Sequence, residues 1–254
     1  MSLSILTTHA QIDRKVQSVL ISGWIGILLS IWFISPSKIL PSPLEVISAL
    51  GTLWDQGLVV EILSSLLVNI EAILIAIVIG LGLTYASTIP LFRFPAEIVG
   101  KLRFLSLTGI TVFFLFTVGG GHALKVALLT FVIVTFFVHD MLRVVDNIPQ
   151  ESYDYAETLG LSKFQIFYQV VVQGTIPDAF DSIRMNAAMS WMMLTMVEGL
   201  SRAEGGVGII LLDLNRQMKF DSILAVQILM LCLGMGQDYL IQQTKAIVCP
   251  YTVR

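Results

Sequence analysis

The chain is 254 residues long, 56% hydrophobic and only 13% charged, with a formal net charge of −3. Soluble domains are about a quarter charged. The apolar excess, gathered in blocks long enough to cross a bilayer, therefore excludes a soluble class and points to an all-α, polytopic membrane protein. The absence of a basic stripe excludes nucleic-acid binding. Cys232, inside an apolar block, and Cys249, in the tail, cannot form a disulfide framework.

Six spans are predicted, at 16–34, 60–84, 103–118, 123–142, 179–200 and 222–241. All are expected to be helices, because lipid offers the backbone no hydrogen-bond partner. Arg14 and Lys15 precede the first block. That block is too long for a signal-peptide core and no small-x-small cleavage site follows, so it is expected to stay as a span. With the N-terminus inside, nine cations fall on inner segments: Arg14, Lys15, Arg93, Lys101, Arg103, Arg143, Lys163, Lys245 and Arg254. Five fall on outer ones: Lys38, Lys125, Arg202, Arg216 and Lys219. Arg184, near a span end, is not counted. The bias places both termini in the cytoplasm.

After the first span, Ser42, Pro43 and Glu45 have the pattern of a helix start, with Ser as N-cap and Glu closing a capping box. Val46, Leu50, Leu53 and Trp54 then recur at helical spacing, which predicts a short amphipathic helix on the outer membrane surface. The second span holds Asn69 and Glu71, and Gly80 and Gly82 suit close helix packing. An acid within a span is by default a functional candidate, but Glu71 can also pair inside the bundle. Residues 88–103 read as a polar inner loop. Thr108, Gly109, Thr111 and Thr117 suit helix contact. Gly119, Gly120 and Gly121 form a tight turn before His122, and no Walker lysine follows them. His139 and Asp140 precede Arg143, and an i, i+3 pair of Asp140 with Arg143 accounts for them.

The longest polar stretch between apolar blocks is 150–177. Asn147 or Ile148 is expected to cap a helix with Pro149 in its first turn, and Glu151 and Asp154 suit its positive end. Gly160 suits the left-handed residue that stops a helix. Ser162 and Gln165 form a second capping box, and Phe164, Phe167, Val170 and Val171 give the next helix an apolar face. Pro177 is expected to end the unit. The result is helix, glycine corner, helix, a stiff element suited to receive force from a partner. In the fifth span Arg184, Ala188, Trp191 and Glu198 share an arc of about 100° that either lines a path or packs on a neighbour. Arg184 either snorkels to the interface or meets the 150–177 unit. Glu198 is a candidate for an outer gate or for a contact with Arg202 at i+4. Met185, Met189, Met192, Met193 and Met196 read as adaptable packing.

Asp154, Ala156, Thr158, Leu159 and Gly160, with the later Pro177, resemble the EAA loop of ABC importer permeases. Here Asp154 stands for Glu, Tyr155 for the first Ala and Ala156 for the second, while Val172 and Gln173 replace the family's first Leu-Pro. Leu40, Pro41, Ser42 and Pro43 are similar to the Leu-Pro-Ser-Pro that follows the first span in nitrate, bicarbonate, sulfonate and taurine permeases. Ser65, Gly80, Gly119, Gly121, Lys125, Arg184, Trp191, Glu198, Gly206, Gly208 and Asp221 fall where that subfamily has the same residue types, over roughly 40–250. The chain departs from the subfamily in having no proline between Pro95 and Pro149, in Val68 where an Arg is common, and in the bulky Tyr155.

The resemblance implies the fold of a type I importer permease (MetI-like). It divides the chain into an N-terminal helix plus outer amphipathic helix (1–58), a permease core (59–245) with a coupling loop at 147–177, and a cytoplasmic tail (246–254). It implies a bacterial inner-membrane subunit, not itself an enzyme, that moves a small solute such as an oxyanion or organic sulfonate inward by alternating access. Its partners would be the lipid bilayer, a second permease copy, a periplasmic binding protein and a cytoplasmic ATPase, with ATP and Mg on the ATPase and no cofactor on this chain. The ATPase would engage Asp154, Tyr155, Ala156, Glu157, Leu159, Gly160 and Leu161, and Arg184, Trp191 and Glu198 would be candidate path or gate residues. The competing class is a secondary transporter or channel working without ATP, for which Glu71 and Glu198 are the relevant acids but an internal repeat is missing.

Overall fold

The computed structural model describes residues 14–34, 40–201 and 205–252, and the described residues are helical throughout apart from turns. The helices are α1 (Arg14–Ile34), α2 (Pro43–Asp55), α3 (Leu58–Ala86), α4 (Pro90–Lys101), α5 (Leu107–Val118) and α6 (His122–Asp146). They continue with α7 (Gln150–Thr158), α8 (Lys163–Ile166), α9 (Gly174–Leu200), α10 (Val207–Arg216) and α11 (Phe220–Val248). Helical runs stand at all six expected span positions. Four of them, α1, α3, α6 and α11, are long and apolar enough to cross a membrane. At 27 residues α9 is about 40 Å long, but Asp178, Asp181, Arg184 and Glu198 interrupt its apolar character.

The third expected span differs. The 88–103 stretch is not a loop but mainly helix α4, extended by a 3₁₀ turn over Leu102–Phe104. Leu105 and Ser106 are extended, and the chain then turns by 118° into α5. With 12 residues α5 is only about 18 Å long and cannot cross a bilayer alone. Helix α4 lays Ala96 and Gly100 against α6 and is fastened there by Arg93. That guanidinium donates to both Asp146 oxygens (2.6 and 2.8 Å) and to Glu97 (2.7 Å). The cations expected to mark a loop are thus the polar face of an amphipathic helix.

Between apolar helices in lipid, association rests on close packing rather than on expulsion of water. Helix α3 supplies Ala72, Ala76 and Gly80 at i, i+4 and i+8, all buried, and α6 is its main neighbour. A Cβ on Gly80 would lie 2.3 Å from Phe137 Cδ1, so only glycine admits that ring. The main core unites α3, α6, α9, α10 and α11 through residues such as Val68, Leu129, Leu194, Leu211 and Val226. Helix α2 starts with the expected capping box, Ser42 with Glu45, and buries Val46 and Ala49 against Ala225 of α11. Helix α1 buries almost nothing; Trp32 Nε1 reaches the Pro41 carbonyl at 2.9 Å. Helix α11 runs three residues past the expected end of the core, to Val248, before a 3₁₀ turn. The expected contact of Glu198 with Arg202 lies outside the described residues.

Candidate functional site

The 150–177 stretch builds a hook at one end of the bundle. Asn147 closes α6 rather than capping α7, because its N–H returns to Arg143 and Val144. Pro149 precedes α7, and Gln150 bonds Asp154 at 3.1 Å. The corner after α7 follows from Gly160, whose φ of +72° lies in the left-handed region. The Gly160 N–H bonds the Glu157 carbonyl and the Leu161 N–H bonds the Ala156 carbonyl, which together make a Schellman stop. Ser162 and Gln165 then form the expected capping box.

Pro177 does not end the unit. It lies inside α9, and the helix runs on from Lys163 to Leu200 through a π-helical segment, Phe167–Gln173. Proline offers no N–H to the Gln173 carbonyl and its ring crowds it; the widened turn just before relieves that clash. The second arm of the hook and the fifth span are therefore one element.

Helix α7 packs chiefly on α8 and the π-helical segment. Ala156 faces inward, 4% exposed, whereas Tyr155 (67%), Leu159 (60%) and Phe164 (75%) stand in the open. Asp154, Glu157 and Gly160 are exposed beside them, and Leu161 is half-buried. A cavity of about 1280 Å³ separates the hook from the α3–α4 turn. Tyr153 lines it, and burial pushes its phenol up, so it stays neutral at physiological pH.

Midway along the bundle, α9 and α11 enclose a groove of about 760 Å³ lined by Trp191, Met192, Gln227, Met235, Asp238 and Gln242. Arg184 grips Asp238 with two hydrogen bonds, from Nε and from Nη2 (2.8 Å), so it neither snorkels nor meets the hook. Trp191 is buried and donates to Gln237 (2.7 Å); Gln237 and Ser190 both donate to Asn69 Oδ1, at 3.5 and 3.1 Å.

At the end opposite the hook, Glu198 is wholly buried. It accepts from the Ser65 hydroxyl (2.5 Å) and the Gly208 N–H (2.6 Å), and Ser65 in turn accepts from the Val207 N–H (2.9 Å). Glu61 takes the Gly206 N–H, and the buried Lys125 donates to the Gly205 carbonyl (2.6 Å). A Cβ on Gly206 would sit 2.5 Å from the Glu198 carboxyl carbon, and the φ of +118° there also requires glycine. Two acids and the Ser65 hydroxyl thus satisfy the N–H groups of Gly206, Val207 and Gly208 at the start of α10. The four-residue arc expected on the fifth span divides: Ala188 and Trp191 line the α9–α11 groove, Arg184 meets its edge through Asp238, and Glu198 belongs to this clasp.

No known family model matches the chain. It is 25% identical over 232 residues to the taurine transport system permease protein TauC of Escherichia coli (strain K12), covering 82% of this chain and 81% of TauC. It is 35% identical over 65 residues to the nitrate import permease protein NrtB of Leptolyngbya laminosa, covering 26% of this chain and 22% of NrtB. The chain is a homologue of the permeases of ABC importers. Its fold is that of a MetI-like permease. It superimposes on a chain of the inward-facing MetNI methionine ABC transporter with a TM-score of 0.57 and 20% identity, covering 78% of this chain and 96% of that one.

In this permease homologue the expected site residues fall into three places rather than one. Sequence reasoning missed Asp238, although it sits beside Gln237 in an apolar helix, the same signal that drew attention to Glu71. It also missed Glu61, whose place in the first turn of α3 looks like ordinary helix-dipole compensation. Glu71 itself pairs with His122 at 2.7 Å, and Asp140 accepts from Asn186 of α9 at 3.2 Å.

Proposed function

We propose that the chain is the membrane-spanning subunit of an ABC importer, and that a partner ATPase drives it through the hook at 150–161. The observation that carries this reading is the exposure of Tyr155, Leu159 and Phe164 on a stiff corner that continues directly into a span-length helix. Exposed apolar side chains rimmed by acids mark a protein-binding surface. Asp154, Glu157, Gly160 and Leu161 frame that surface, and Ala156 anchors it from below. The hook end is then cytoplasmic, with both chain termini on that side of a bacterial inner membrane. ATP and Mg are held by the ATPase; this chain contributes a lever and a helix packing with two arrangements.

A second copy of the chain completes the path, and a periplasmic binding protein delivers the solute. The names of the relatives, taurine and nitrate permeases, support a small anion, an oxyanion or an organic sulfonate, as the solute. Inward movement follows alternating access, with the paired hooks drawn together when the ATPases close. The test is purification of the tagged full chain from its own cells in mild detergent. An ATP-binding-cassette ATPase is expected to co-purify in stoichiometric amount. Recovery of the chain at full yield with no ATPase would overturn the reading.

A further inference from the structure

Arg184 and Asp238 form an ion pair between α9 and α11, inside the fifth and sixth expected spans and about one helical turn from their hook end. It lies between the Ser190–Asn69 contact on one side and the Lys245–Asp181 pair on the other. Both side chains are about two-fifths exposed, 41% and 37%. An arginine cannot give up its charge by losing a proton, so this pair cannot face hydrocarbon without great cost. Another pair, Glu71 with His122, borders a groove that is almost wholly apolar, lined by residues such as Ile75, Ile79, Val126 and Phe131. The α9–α11 groove instead presents Gln227, Gln242, Thr195 and Asp238 among its methionines. The outward face of α3, with Leu63, Leu67, Leu74 and Val78 exposed, is suited to lipid. The α9–α11 groove carries an ion pair and side-chain amides that the α3 face lacks.

We propose that this groove lines the solute path and that Arg184, brought to its edge by the pair with Asp238, is the anion-binding group, with Asp238 holding the guanidinium in place of the solute when the path is empty. The inference rests on the importer reading and extends it to a substrate class. The carboxylate of Asp238 presents two oxygens to a planar fork of donors, the same geometry an oxyanion or sulfonate offers. Exchange of one for the other keeps the arginine paired at every stage and leaves the Asp238 carboxylate to be solvated in the groove. The flexible Met192 and Met235 can adapt to the organic part of a solute.

The test uses thiol accessibility in the full chain within native membranes, with Cys232 and Cys249 replaced by serine. Met235→Cys places a thiol one helical turn from Asp238, and Leu74→Cys places a control on the α3 face. Water-soluble methanethiosulfonates, one anionic and one cationic, are applied to both membrane faces. The Met235→Cys thiol is expected to react and the Leu74→Cys thiol to stay unmodified. Adding Asp238→Asn should raise the anionic-to-cationic rate ratio about tenfold, and adding Arg184→Gln should lower it about tenfold. The double change Arg184→Gln with Asp238→Asn should return the ratio to that of the parent. A Met235→Cys thiol as unreactive as the control, or a ratio indifferent to both substitutions, overturns the proposal. If the ATPase still co-purifies in that case, the groove assignment fails and the importer reading stands. If the ratios move as expected but no ATPase is found, the groove is a water-filled anion path in a transporter of another class.

Discussion

Single residues decide the two corners of this molecule. At the hook, any side chain at Gly160 would have to adopt the left-handed region that L-residues avoid at a cost of about 1–2 kcal/mol. Gly160→Val is therefore expected to lower ATP hydrolysis by the assembled transporter severalfold while leaving the chain inserted, as read by ATPase assay beside membrane yield. At the opposite end, Glu198 serves two donors at once. Glu198→Ala leaves the Ser65 hydroxyl and the Gly208 N–H without that acceptor, each worth about 1–3 kcal/mol when buried. The expected result is a clear fall in the melting temperature of the detergent-solubilised protein. Lys125→Met should act in the same direction through the Gly205 carbonyl, and an unchanged melting temperature in both variants would contradict the clasp.

At the scale of elements, the informative one is the continuous run from Lys163 to Leu200. Pro177 reads in sequence as a stop, because proline in a helix interior costs a hydrogen bond and a clash. What the sequence does not reveal is that a π-helical segment takes up the clash, since no residue pattern announces a widened turn. Pro177→Ala restores a donor toward the Gln173 carbonyl. Amide exchange across 167–180 is expected to slow, and the hook should rotate about the α9 axis by up to about 100° for one residue of register. Unaltered exchange there would mean that the proline does not hold the π segment open. The bent α4–α5 pair was hidden for a related reason: the composition of 88–103 is polar, and only the partner helix α6 reveals that Arg93 and Glu97 lie on one face of a helix. Capping boxes at Ser42 and Ser162, the Gly160 corner and the positions of all six helical runs were legible, because each depends on contacts close in sequence. Asp238 with Arg184, and Glu198 with the 205–208 turn, depend on side chains brought together from distant helices, and no local pattern encodes them.

At the scale of the whole molecule, the chain joins an exposed hook at one end to a groove between α9 and α11 and a clasped turn at the far end. All three places include residues of the 163–200 helix: Phe164 at the hook, Arg184 and Trp191 at the groove, Glu198 at the clasp. On the importer reading, a displacement applied at Tyr155 and Leu159 would pass through the Gly160 corner into this helix and on toward the groove and the clasp. That continuity suits the chain to being driven from outside. The most direct measurement of this account compares the tagged wild-type chain with the double variant Tyr155→Asp and Leu159→Asp, assayed for co-purifying ATPase and for solute-stimulated ATP hydrolysis after reconstitution. The account predicts that the variant inserts at normal yield but loses the bound ATPase and at least about tenfold of the stimulated hydrolysis, since placing carboxylates at the centre of an apolar contact commonly costs 2 kcal/mol or more. ATPase binding and stimulated hydrolysis equal to wild type would contradict it.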